Sequence, residues 1–469
     1  MTYKEWAAVG AVIIAVGQWA LIPRLLAQRS KAPAATLAWL WTLLFFPGLG
    51  ALLYLLIGSE RVARRSLALR KDLTRHLVAR LARDHDKSAS LLAMPELERV
   101  NGCPPSSGNA VTLLSDGTAF FPVLLEAIAA AQHHLHVEFY IWRNDRAGIL
   151  VRDALVQAAQ RGVQVRVLVD EMGSVFLWRS FFAPLMKAGG EFSWFHTFSP
   201  TRGRFHLNLR NHRKLVIADG TVAFTGGMNI GDEYWSGGKL PPCRDLAVRM
   251  LGPVVTQLAE VFAQDWYFST GQALKSAEYY PPSKCGGDIA AQLVPGAPDN
   301  DIDEVQLTTL ALLHRAEKRI RLITPYFVPE PPLLAALQLA AMRGVDVAIL
   351  VPAKGDHFYL THVMRSYYDD LLPHGVRIFE YYPRMLHAKV LTVDGRHTMT
   401  GSANFDIRSL RLNFELNVVF ACGNITEATD RIFDETTRAS REVLLETYQR
   451  RPLRHKIAEA IFRPAAPLL

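Results

Sequence analysis

The chain contains two copies of a pattern that places a lysine two residues after a histidine, H-x-K-x4-D-x6-G-x-x-N. Every fixed position of the second copy follows its counterpart in the first at the same offset along the chain. Their members are His212, Lys214, Asp219, Gly226 and Asn229 in the first copy, and His387, Lys389, Asp394, Gly401 and Asn404 in the second. A five-position match that recurs in register is not accidental. Two imidazoles and two ammonium groups form a metal-free set of groups for cleaving a phosphodiester.

Phosphoryl transfer needs a nucleophile, a proton donor for the leaving oxygen, and positive charge around the phosphate oxygens. One histidine can attack phosphorus while the other donates and then accepts a proton. The two lysines supply the positive charge, so no cofactor or metal is expected. Phosphate can bind where the backbone turns closely and presents its N–H groups, or where a side-chain amide can donate. The candidate phosphate-binding residues are Gly227, Asn229, Ser402 and Asn404.

Two acids are candidates for orienting the histidines. Asp245 follows His212 in the first half, and Glu415 follows His387 in the second at a similar separation. A buried carboxylate that accepts from one ring nitrogen fixes the tautomer of an imidazole, as it does in a catalytic triad. The equivalent positions of the two acids in the two halves favour this role over that of surface acids.

Each motif is predicted to lie on a strand, because the residues between its lysine and its aspartate are apolar. On a strand, a histidine and a lysine two residues apart project from the same face. Asp219 and Asp394 follow these strands. They are counted among the candidate catalytic residues, although a role in a turn or a salt bridge is favoured over proton transfer.

A wider repeat surrounds the motifs. Residues 131–141 and 316–327 both run from a helix end into an apolar strand, and each is followed by an apolar helix, Arg-Gly-Val and a second strand. Such alternation is typical of βα units on a parallel sheet. The predicted fold class is therefore α/β, with two duplicated domains whose mainly parallel sheets face each other. The predicted domains are 105–270 and 286–450, followed by a C-terminal tail at 451–469.

The N-terminal region, 1–59, contains two uncharged apolar segments at about 6–23 and 34–58. Each segment is long enough for a membrane helix. Pro47 favours a kink or a re-entrant hairpin in the second one, and the sequence does not decide between them. A cleaved signal peptide is the alternative for the first segment, but it fits poorly with a second apolar segment directly behind it. The prediction is two transmembrane or membrane-embedded helices.

Basic residues flank these segments unevenly. Three lie between the segments, and eight follow the second one at positions 61–83, in a predicted basic helical connector, 60–104. By the positive-inside rule, this predicts that the catalytic domains are cytoplasmic; a solvated helix face is the alternative reading of the cluster. The net charge of +8 suits an anionic partner without separating lipid from nucleic acid. The four cysteines have no C-x2-C spacing, which argues against a zinc site or a disulfide framework.

The motifs resemble those of the phospholipase D superfamily, and within it those of the bacterial cardiolipin synthases. Further stretches at 224–234, 262–266, 324–329 and 408–415 are similar to the narrower family. The resemblance covers essentially the whole chain. Gly227 departs from the Ser or Thr that is usual in the superfamily at this position, although it agrees with many cardiolipin synthases.

The resemblance implies a ping-pong exchange in which one phosphatidylglycerol gives its phosphatidyl group to a histidine and releases glycerol. A second phosphatidylglycerol then attacks with its terminal hydroxyl and forms cardiolipin. The resemblance also implies that His212 is the nucleophile and His387 the acid and base, roles that the near-symmetric residues cannot assign by themselves. The expected partners are phosphatidylglycerol and an anionic phospholipid membrane, and the expected location is multi-pass in the bacterial inner (cytoplasmic) membrane. The sequence does not decide whether phosphatidylethanolamine can replace phosphatidylglycerol as the donor of the phosphatidyl group. It does not decide the oligomeric state either.

Three other functions are considered. A membrane-bound phospholipase D that hydrolyses phospholipid to phosphatidic acid would have the same motifs and differ only in its acceptor. A tethered nuclease suits the basic charge, but nucleic-acid substrates do not require two apolar N-terminal segments, so no nucleic acid is expected. A non-catalytic membrane scaffold is disfavoured because every reactive position is filled in both halves.

Overall fold

A computed structural model describes residues 6, 17–27, 33–55, 95–101, 103–195, 198–199, 204–205, 209–235, 241–282, 284–298, 303–355 and 358–468. The chain divides into two compact units. The smaller unit is Met1–Leu69 with His196–Leu209, and the larger is Arg70–Phe195 with Arg210–Leu469.

The helices are α1 (Leu21–Leu26), α2 (Pro33–Phe45), α3 (Leu49–Leu53), α4 (Pro95–Asn101), α5 (Asp116–Ala130), α6 (Arg146–Gln160), α7 (Ala183–Lys187), α8 (Val254–Thr270), α9 (Glu304–Arg315), α10 (Pro331–Met342), α11 (Phe358–Ser366), α12 (Tyr368–Leu371), α13 (Ile407–Arg411), α14 (Gly423–Arg438), α15 (Leu445–Gln449) and α16 (Leu453–Phe462). Short 3₁₀ segments are Arg179–Phe182, Ala277–Tyr279, Leu372–His374 and Arg463–Leu468.

The strands are β1 (Ser106–Ser115), β2 (His134–Phe139), β3 (Gln164–Asp170), β4 (Glu191–Phe195), β5 (Phe198–Ser199), β6 (Arg204–Phe205), β7 (Arg210–Asn211), β8 (Leu215–Ala218), β9 (Val222–Gly226), β10 (Leu246–Leu251), β11 (Ile289–Val294), β12 (Arg319–Ile323), β13 (Phe327–Val328), β14 (Asp346–Pro352), β15 (Arg377–Tyr381), β16 (Val390–Val393), β17 (His397–Gly401), β18 (Phe405–Asp406), β19 (Asn413–Phe414), β20 (Asn417–Ala421) and β21 (Ser440–Glu442).

The smaller unit contains α1, α2, α3 and the β5–β6 hairpin. Its helices pack through a small apolar cluster that includes Leu25, Leu43 and Tyr54. The second apolar segment is broken between α2 and α3, at Pro47 and Gly48, where the φ angle of Gly48 is 78°. Among the residues that the structure describes, no helix is both long and apolar enough to cross a bilayer. Residues 7–16 of the first predicted segment lie outside the described ranges, as does most of the predicted basic connector.

The larger unit is built on one mixed sheet with the strand order β21-β15-β14-β12-β16-β17-β20-β11-β1-β10-β9-β8-β2-β3-β4. The order of the first half, from β1 to β4, is repeated by the second half from β11 to β15. The prediction of duplicated α/β domains is confirmed. The prediction of mainly parallel sheets that face each other is wrong: only β2, β3 and β4, and their counterparts β12, β14 and β15, pair in parallel within this sheet.

The antiparallel pairs have a local cause. Each motif strand turns back on itself at its aspartate, which gives the hairpins β8–β9 and β16–β17. The parallel part comes from the predicted βα units, in which Gly162 and Gly344 end the helices α6 and α10. Their φ angles are 94° and 88°, a conformation that favours glycine and releases the chain into the next strand.

The two halves join edge to edge where β1 pairs with β11 in antiparallel orientation. The side chain of Asn109 strengthens this junction by donating from Nδ2 to the carbonyl of Ile289 at 3.0 Å. Helix α8 lies across it, and its Phe262 belongs to an apolar core that also contains Leu293 and Phe414 from the second half. Because this core is shared, neither half completes its packing without the other.

The C-terminal tail is folded onto the second half. Arg451 forms an ion pair with Asp369, and Arg463 lies 2.6 Å from Asp370. Ala466 is buried. The tail therefore continues the folded unit up to the last described residues.

Asp219 and Asp394 lie in the turns of the two motif hairpins, with φ angles of 52° and 56°. The carboxylate of Asp219 accepts hydrogen bonds from the backbone N–H groups of Gln132, His133 and His134 at 2.7–2.9 Å. Asp394 accepts three equivalent bonds from residues 317–319. Each aspartate is separated from its histidine by a strand, about 20 Å at roughly 3.3 Å per residue. This placement fits the turn role that the sequence favoured.

We expect Asp219→Gly to lower the free energy of unfolding by about 1–3 kcal/mol, because three N–H groups lose their acceptor while glycine keeps the positive φ angle. Thermal or denaturant unfolding of the purified protein measures the loss. Asp394→Gly serves as the matched variant in the second half. Turnover per folded molecule should change by no more than about twofold, given the separation of about 20 Å from the histidine. Unchanged stability together with abolished turnover would instead identify Asp219 as catalytic.

Candidate active site

Two short parallel backbone pairings bring the halves together at the motifs. Strand β7, just before His212, pairs with β19, just before Glu415, and the N–H of His212 donates to the carbonyl of Phe414 at 2.9 Å. The mirror arrangement joins Arg244 to Leu386, and the N–H of His387 donates to the carbonyl of Arg244 at 2.7 Å. Each histidine therefore starts its motif beside the acid-bearing segment of the other half.

The histidines and the acids are paired across the halves. Nδ1 of His212 lies 3.0 Å from Oε2 of Glu415, and Nδ1 of His387 lies 2.7 Å from Oδ2 of Asp245. The sequence associated each acid with the histidine of its own half, whereas the structure exchanges the partners. A carboxylate that accepts from Nδ1 holds the proton there and leaves the Nε2 lone pair available to attack or to accept a proton.

The two lysines lie beside their histidines and are buried. Nζ of Lys214 donates to the carbonyl of His212 at 2.6 Å and lies 5.4 Å from the ring centre of Tyr140. Nζ of Lys389 lies 2.9 Å from Nδ1 of His387. Both imidazoles keep a small accessible surface, with 8% of His212 and 9% of His387 exposed. Each imidazole is therefore nearly enclosed but keeps some surface that a reagent can reach.

Burial controls the protonation of the site. Burial lowers the pKa of His212 to about 4, against the opposing charge of Glu415. Burial, and then the charge of Lys389, lower the pKa of His387 to about 4. Burial also lowers the pKa of Lys214 to about 7 and that of Lys389 to about 8. Both imidazoles are therefore neutral at pH 7 before substrate binds.

The charges of the two motifs act on each other. The charge of Lys389 contributes to lowering the pKa of His212, and the charge of Lys214 contributes to lowering that of His387. Burial raises the pKa of Glu415, but the His212 interaction outweighs it and brings the value to about 2. With both lysines protonated, the two carboxylates and the two ammonium groups cancel. A phosphodiester anion that enters adds one uncompensated negative charge, which raises the pKa of both imidazoles and favours one of them as a proton donor.

The turn after each motif hairpin differs between the halves. The hydroxyl of Ser402 donates to Oε2 of Glu415. At the equivalent Gly227, an added Cβ would lie 2.1 Å from Oδ1 of Asp245, so the carboxylate occupies the space of a side chain. The first half therefore combines the shorter acid Asp245 with Gly227, whereas the second half combines the longer acid Glu415 with Ser402. This exchange is the physical reason why Gly227 departs from the usual Ser or Thr.

The two motif asparagines have different surroundings. Asn229 accepts from the N–H of Ile141 at 3.1 Å and donates from Nδ2 to the hydroxyl of Tyr234 at 2.8 Å, which leaves it one amide hydrogen. Asn404 is buried, and its Oδ1 has no hydrogen-bond partner among the described residues. A role for either residue in binding phosphate stays a prediction.

Arg213 is a functional neighbour that the sequence reasoning missed. It is fully buried and spans the two halves, with Nε donating to the carbonyl of Glu415 at 3.0 Å and Nη2 donating to that of Gly296 at 3.0 Å. Its charge is balanced by an ion pair with Asp265. An arginine between the histidine and the lysine of the first motif, where the second half has Ala388, was the available signal.

Asp116 is a second missed residue. Its Oδ2 accepts from Arg244 at 2.8 Å and from Arg384 at 2.6 Å, and its Oδ1 accepts from the N–H of Asp245 at 3.1 Å. It therefore ties both backbone segments of the His387 pairing to the start of α5. Asp116 lies outside both motifs, so no pattern in the chain selected it.

Comparisons with known proteins agree with this architecture. A family model described as "Cardiolipin synthase, PLD-like domain" matches residues 124–266 and 309–437, and one described as "Phospholipase_D-nuclease N-terminal" matches residues 10–59. The crystal structure of phosphatidylserine synthase from Haemophilus influenzae superposes with a TM-score of 0.60 at 15% identity, over 80% of this chain and 100% of that one. The fold and the paired motifs define a protein with two phospholipase D-like domains.

Curated relatives give a narrower assignment. Cardiolipin synthase 1 of Bacillus cereus is 34% identical over 460 residues, which are 94% of this chain and 90% of that protein. The major cardiolipin synthase of Bacillus subtilis is 34% identical over 462 residues, which are 94% of this chain and 95% of that protein. The chain belongs to the cardiolipin synthase family, as the resemblance of its motifs predicted.

We expect Gly227→Ala to lower the turnover number by about a hundredfold, because a shift of about 1 Å in a catalytic group costs that much and the added Cβ must displace Asp245. Initial rates of lipid phosphoryl transfer measure the effect, and thermal unfolding reports whether the fold is kept. Ser402→Ala is the matched control, since it removes the hydroxyl that supports Glu415 without adding volume, and its loss should be smaller. Full activity of Gly227→Ala would show that the observed position of Asp245 is not required.

Proposed function

We propose that this chain is a cardiolipin synthase that transfers a phosphatidyl group from one phosphatidylglycerol to a second one through a phosphohistidine. The observation that carries the proposal is the crossed pairing of His212 with Glu415 and of His387 with Asp245 within one site. Membership of the cardiolipin synthase family supports the same reaction. The lobes that act together are 105–270 and 286–450.

When the phosphodiester binds, its negative charge favours uptake of a proton from solvent on Nε2 of His387. In the first step, Nε2 of His212 attacks the phosphorus of phosphatidylglycerol, and His387 gives this proton to the glycerol oxygen as the bond to phosphorus breaks. Glycerol leaves, and the phosphatidyl group is bound to His212. In the second step, His387 takes the proton of the terminal hydroxyl of another phosphatidylglycerol. This oxygen attacks phosphorus, cardiolipin forms and His212 is released. Lys214 and Lys389 stabilise the charge on the phosphate oxygens in both steps.

The reaction requires no external energy source because one phosphodiester replaces another. The competing reaction is attack by water, which would yield phosphatidic acid. The low exposure of His212 and His387 supports transfer over hydrolysis, since a narrow site limits the access of water to the intermediate.

The N-terminal region, 1–59, is proposed to hold the catalytic unit at the bacterial inner membrane, with that unit on the cytoplasmic side. The match of residues 10–59 to the N-terminal family model supports membrane attachment. Helix α2 adds support through exposed large apolar side chains, namely Leu37, Trp41, Leu44 and Phe45. In solution such a surface would be unfavourable, whereas in lipid it is well accommodated.

Replacing either histidine with alanine should lower the conversion of labelled phosphatidylglycerol to cardiolipin by at least about a thousandfold. A lipid with a p-nitrophenyl head group assigns the roles, because p-nitrophenolate leaves without a proton. His387→Ala should then accumulate a phosphatidyl group on His212, detected by mass spectrometry, while His212→Ala should accumulate none. Phosphatidic acid as the main product of the unmodified protein would favour the hydrolase. A phosphatidyl group found on His387 in the His212→Ala variant would instead identify His387 as the nucleophile.

The pH dependence should show three phases. Above about pH 4, kcat/KM should fall gradually, because the free enzyme has to take up the proton that His387 donates. It should fall more steeply above about pH 7–8, as Lys214 and Lys389 lose their protons, and it should also fall below about pH 4, as His212 gains one. Lys214→Arg and Lys389→Arg should keep reduced activity with the alkaline limb moved to higher pH, because arginine stays charged. If the alkaline limb does not move in either variant, a different group controls it.

A further inference from the structure

An exposed apolar loop follows β3 in the first half, at the end of the strand that carries Asp170. Three of its side chains are mostly exposed: Val175 at 59%, Phe176 at 81% and Trp178 at 79%. Leu177, between the two aromatic residues, is buried and anchors the loop in the first-half core. We call residues 171–178 the apolar loop. Large aromatic side chains in water are unfavourable, so this cluster marks an interaction surface.

The base of the apolar loop is fixed. Oδ1 of Asp170 accepts from the N–H groups of Met172 at 3.0 Å and Gly173 at 2.7 Å. The hydroxyl of Ser174 donates to the carbonyl of Tyr140 at 3.1 Å and accepts from the N–H of Trp142 at 2.9 Å. The exposed tip therefore stands on a rigid base and is presented outward.

The same contacts connect the apolar loop to the reactive histidine. The ring of Tyr140, whose carbonyl accepts from Ser174, lies 4.8 Å from the ring of His212. A Cβ on Gly173 would lie 2.3 Å from the Tyr140 carbonyl oxygen, so the loop backbone is packed directly against this tyrosine. In addition, Oδ2 of Asp170 accepts from the N–H of Asn211 at 2.8 Å, next to His212. Tyr140 therefore contacts both the base of the apolar loop and the ring of His212.

We propose that the apolar loop inserts into the phospholipid monolayer and places the opening of the site at the level of the lipid head groups. The inference rests on the proposed function, because it takes phospholipids as the substrates. Phe176 and Trp178 would lie among the upper acyl chains, where aromatic side chains are well accommodated. Arg179 follows directly and is exposed, so its positive charge would lie among anionic head groups.

Other exposed apolar surfaces are less well connected to the site. Leu453, Ile457 and Ile461 form a stripe on α16. Leu339 and Met342 lie at the end of α10 that precedes β14, one strand's length from the second motif. None of the contacts described above joins either surface to a histidine. The apolar loop is therefore the surface whose insertion would align the opening of the site with its substrate.

The first test measures depth in vesicles of phosphatidylglycerol and phosphatidylcholine that contain the full-length protein. Phe176→Cys is labelled with an environment-sensitive fluorophore in a Cys285→Ser background, because Cys285 is exposed. Gln160→Cys, at the end of α6 that precedes β3, is the matched control. Lipids that carry a quencher on the acyl chain should quench the label at position 176 several-fold more than the label at 160. Equal quenching at the two positions would overturn the proposal.

A His387→Ala version of the labelled protein separates this proposal from the proposed function. Its label at position 176 should be quenched as strongly as in the active protein, since insertion does not require turnover. In detergent, a second copy of the chain that covered the apolar loop would protect the label, and this protection would increase with protein concentration. Such a result would also overturn the proposal. Absence of cardiolipin formation by the unmodified protein, with quenching intact, would refute the reaction and leave the loop as a membrane-contacting element.

The second test measures catalysis. Phe176→Ser/Trp178→Ser should raise the KM for long-chain phosphatidylglycerol in vesicles by about tenfold or more, the factor expected for losing the burial of one large apolar side chain. The kcat for a short-chain, monomeric phosphatidylglycerol should stay within about twofold. Leu339→Ser/Met342→Ser removes an equal number of exposed apolar groups and should leave both constants unchanged. An unchanged vesicle KM in the loop variant would contradict insertion.

Discussion

The site depends on one interaction that occurs twice: an imidazole from one half is held by a carboxylate from the other. His212 pairs with Glu415 and His387 with Asp245. Short parallel pairings of the preceding backbone fix both partners, so the side chains have little freedom to separate. The rest of the larger unit serves this arrangement. The β1–β11 junction, the shared core under α8 and buried Arg213 all hold the halves in the register that the pairs need.

Burying this many charges is costly, and the structure offsets the cost by matching opposite charges and by hydrogen bonds rather than by exposure to water. Two carboxylates oppose two ammonium groups, while both imidazoles stay neutral because burial lowers their pKa to about 4. Such a site has a neutral nucleophile before substrate arrives. The phosphodiester then supplies the negative charge that makes protonation of the second imidazole favourable. The substrate therefore helps to create the acid that its own cleavage requires.

The repeats in the chain were sufficient to predict the duplicated α/β fold, and the motifs located the strands and the turns that follow them. The histidine and the lysine of each motif lie just before the strand rather than on it, since β8 begins at Leu215 and β16 at Val390. The motifs could not predict which acid serves which histidine. That pairing depends on β7 meeting β19, and Arg244 meeting Leu386, which are contacts between segments from opposite halves of the chain. The mixed sheet was missed for a related reason. The turns at Asp219 and Asp394 could be predicted from the sequence. Whether the strands on either side of them pair in parallel or antiparallel orientation depends on which strands become neighbours in the sheet.

Near-symmetry raises the question of why the halves differ at Gly227 and Ser402. Ser402 adds a hydrogen bond to Glu415, which already accepts from His212, and this carboxylate stays ionised with a pKa of about 2. Asp245 has no such hydroxyl donor at position 227, because Gly227 has no side chain and the carboxylate itself lies where a Cβ would be. A carboxylate with more donors is a weaker base toward its imidazole, so the two histidines face acceptors of different strength. In the proposed reaction, this difference would allow two similar halves to divide the roles of nucleophile and proton carrier, which a strictly symmetric site would have to exchange at random.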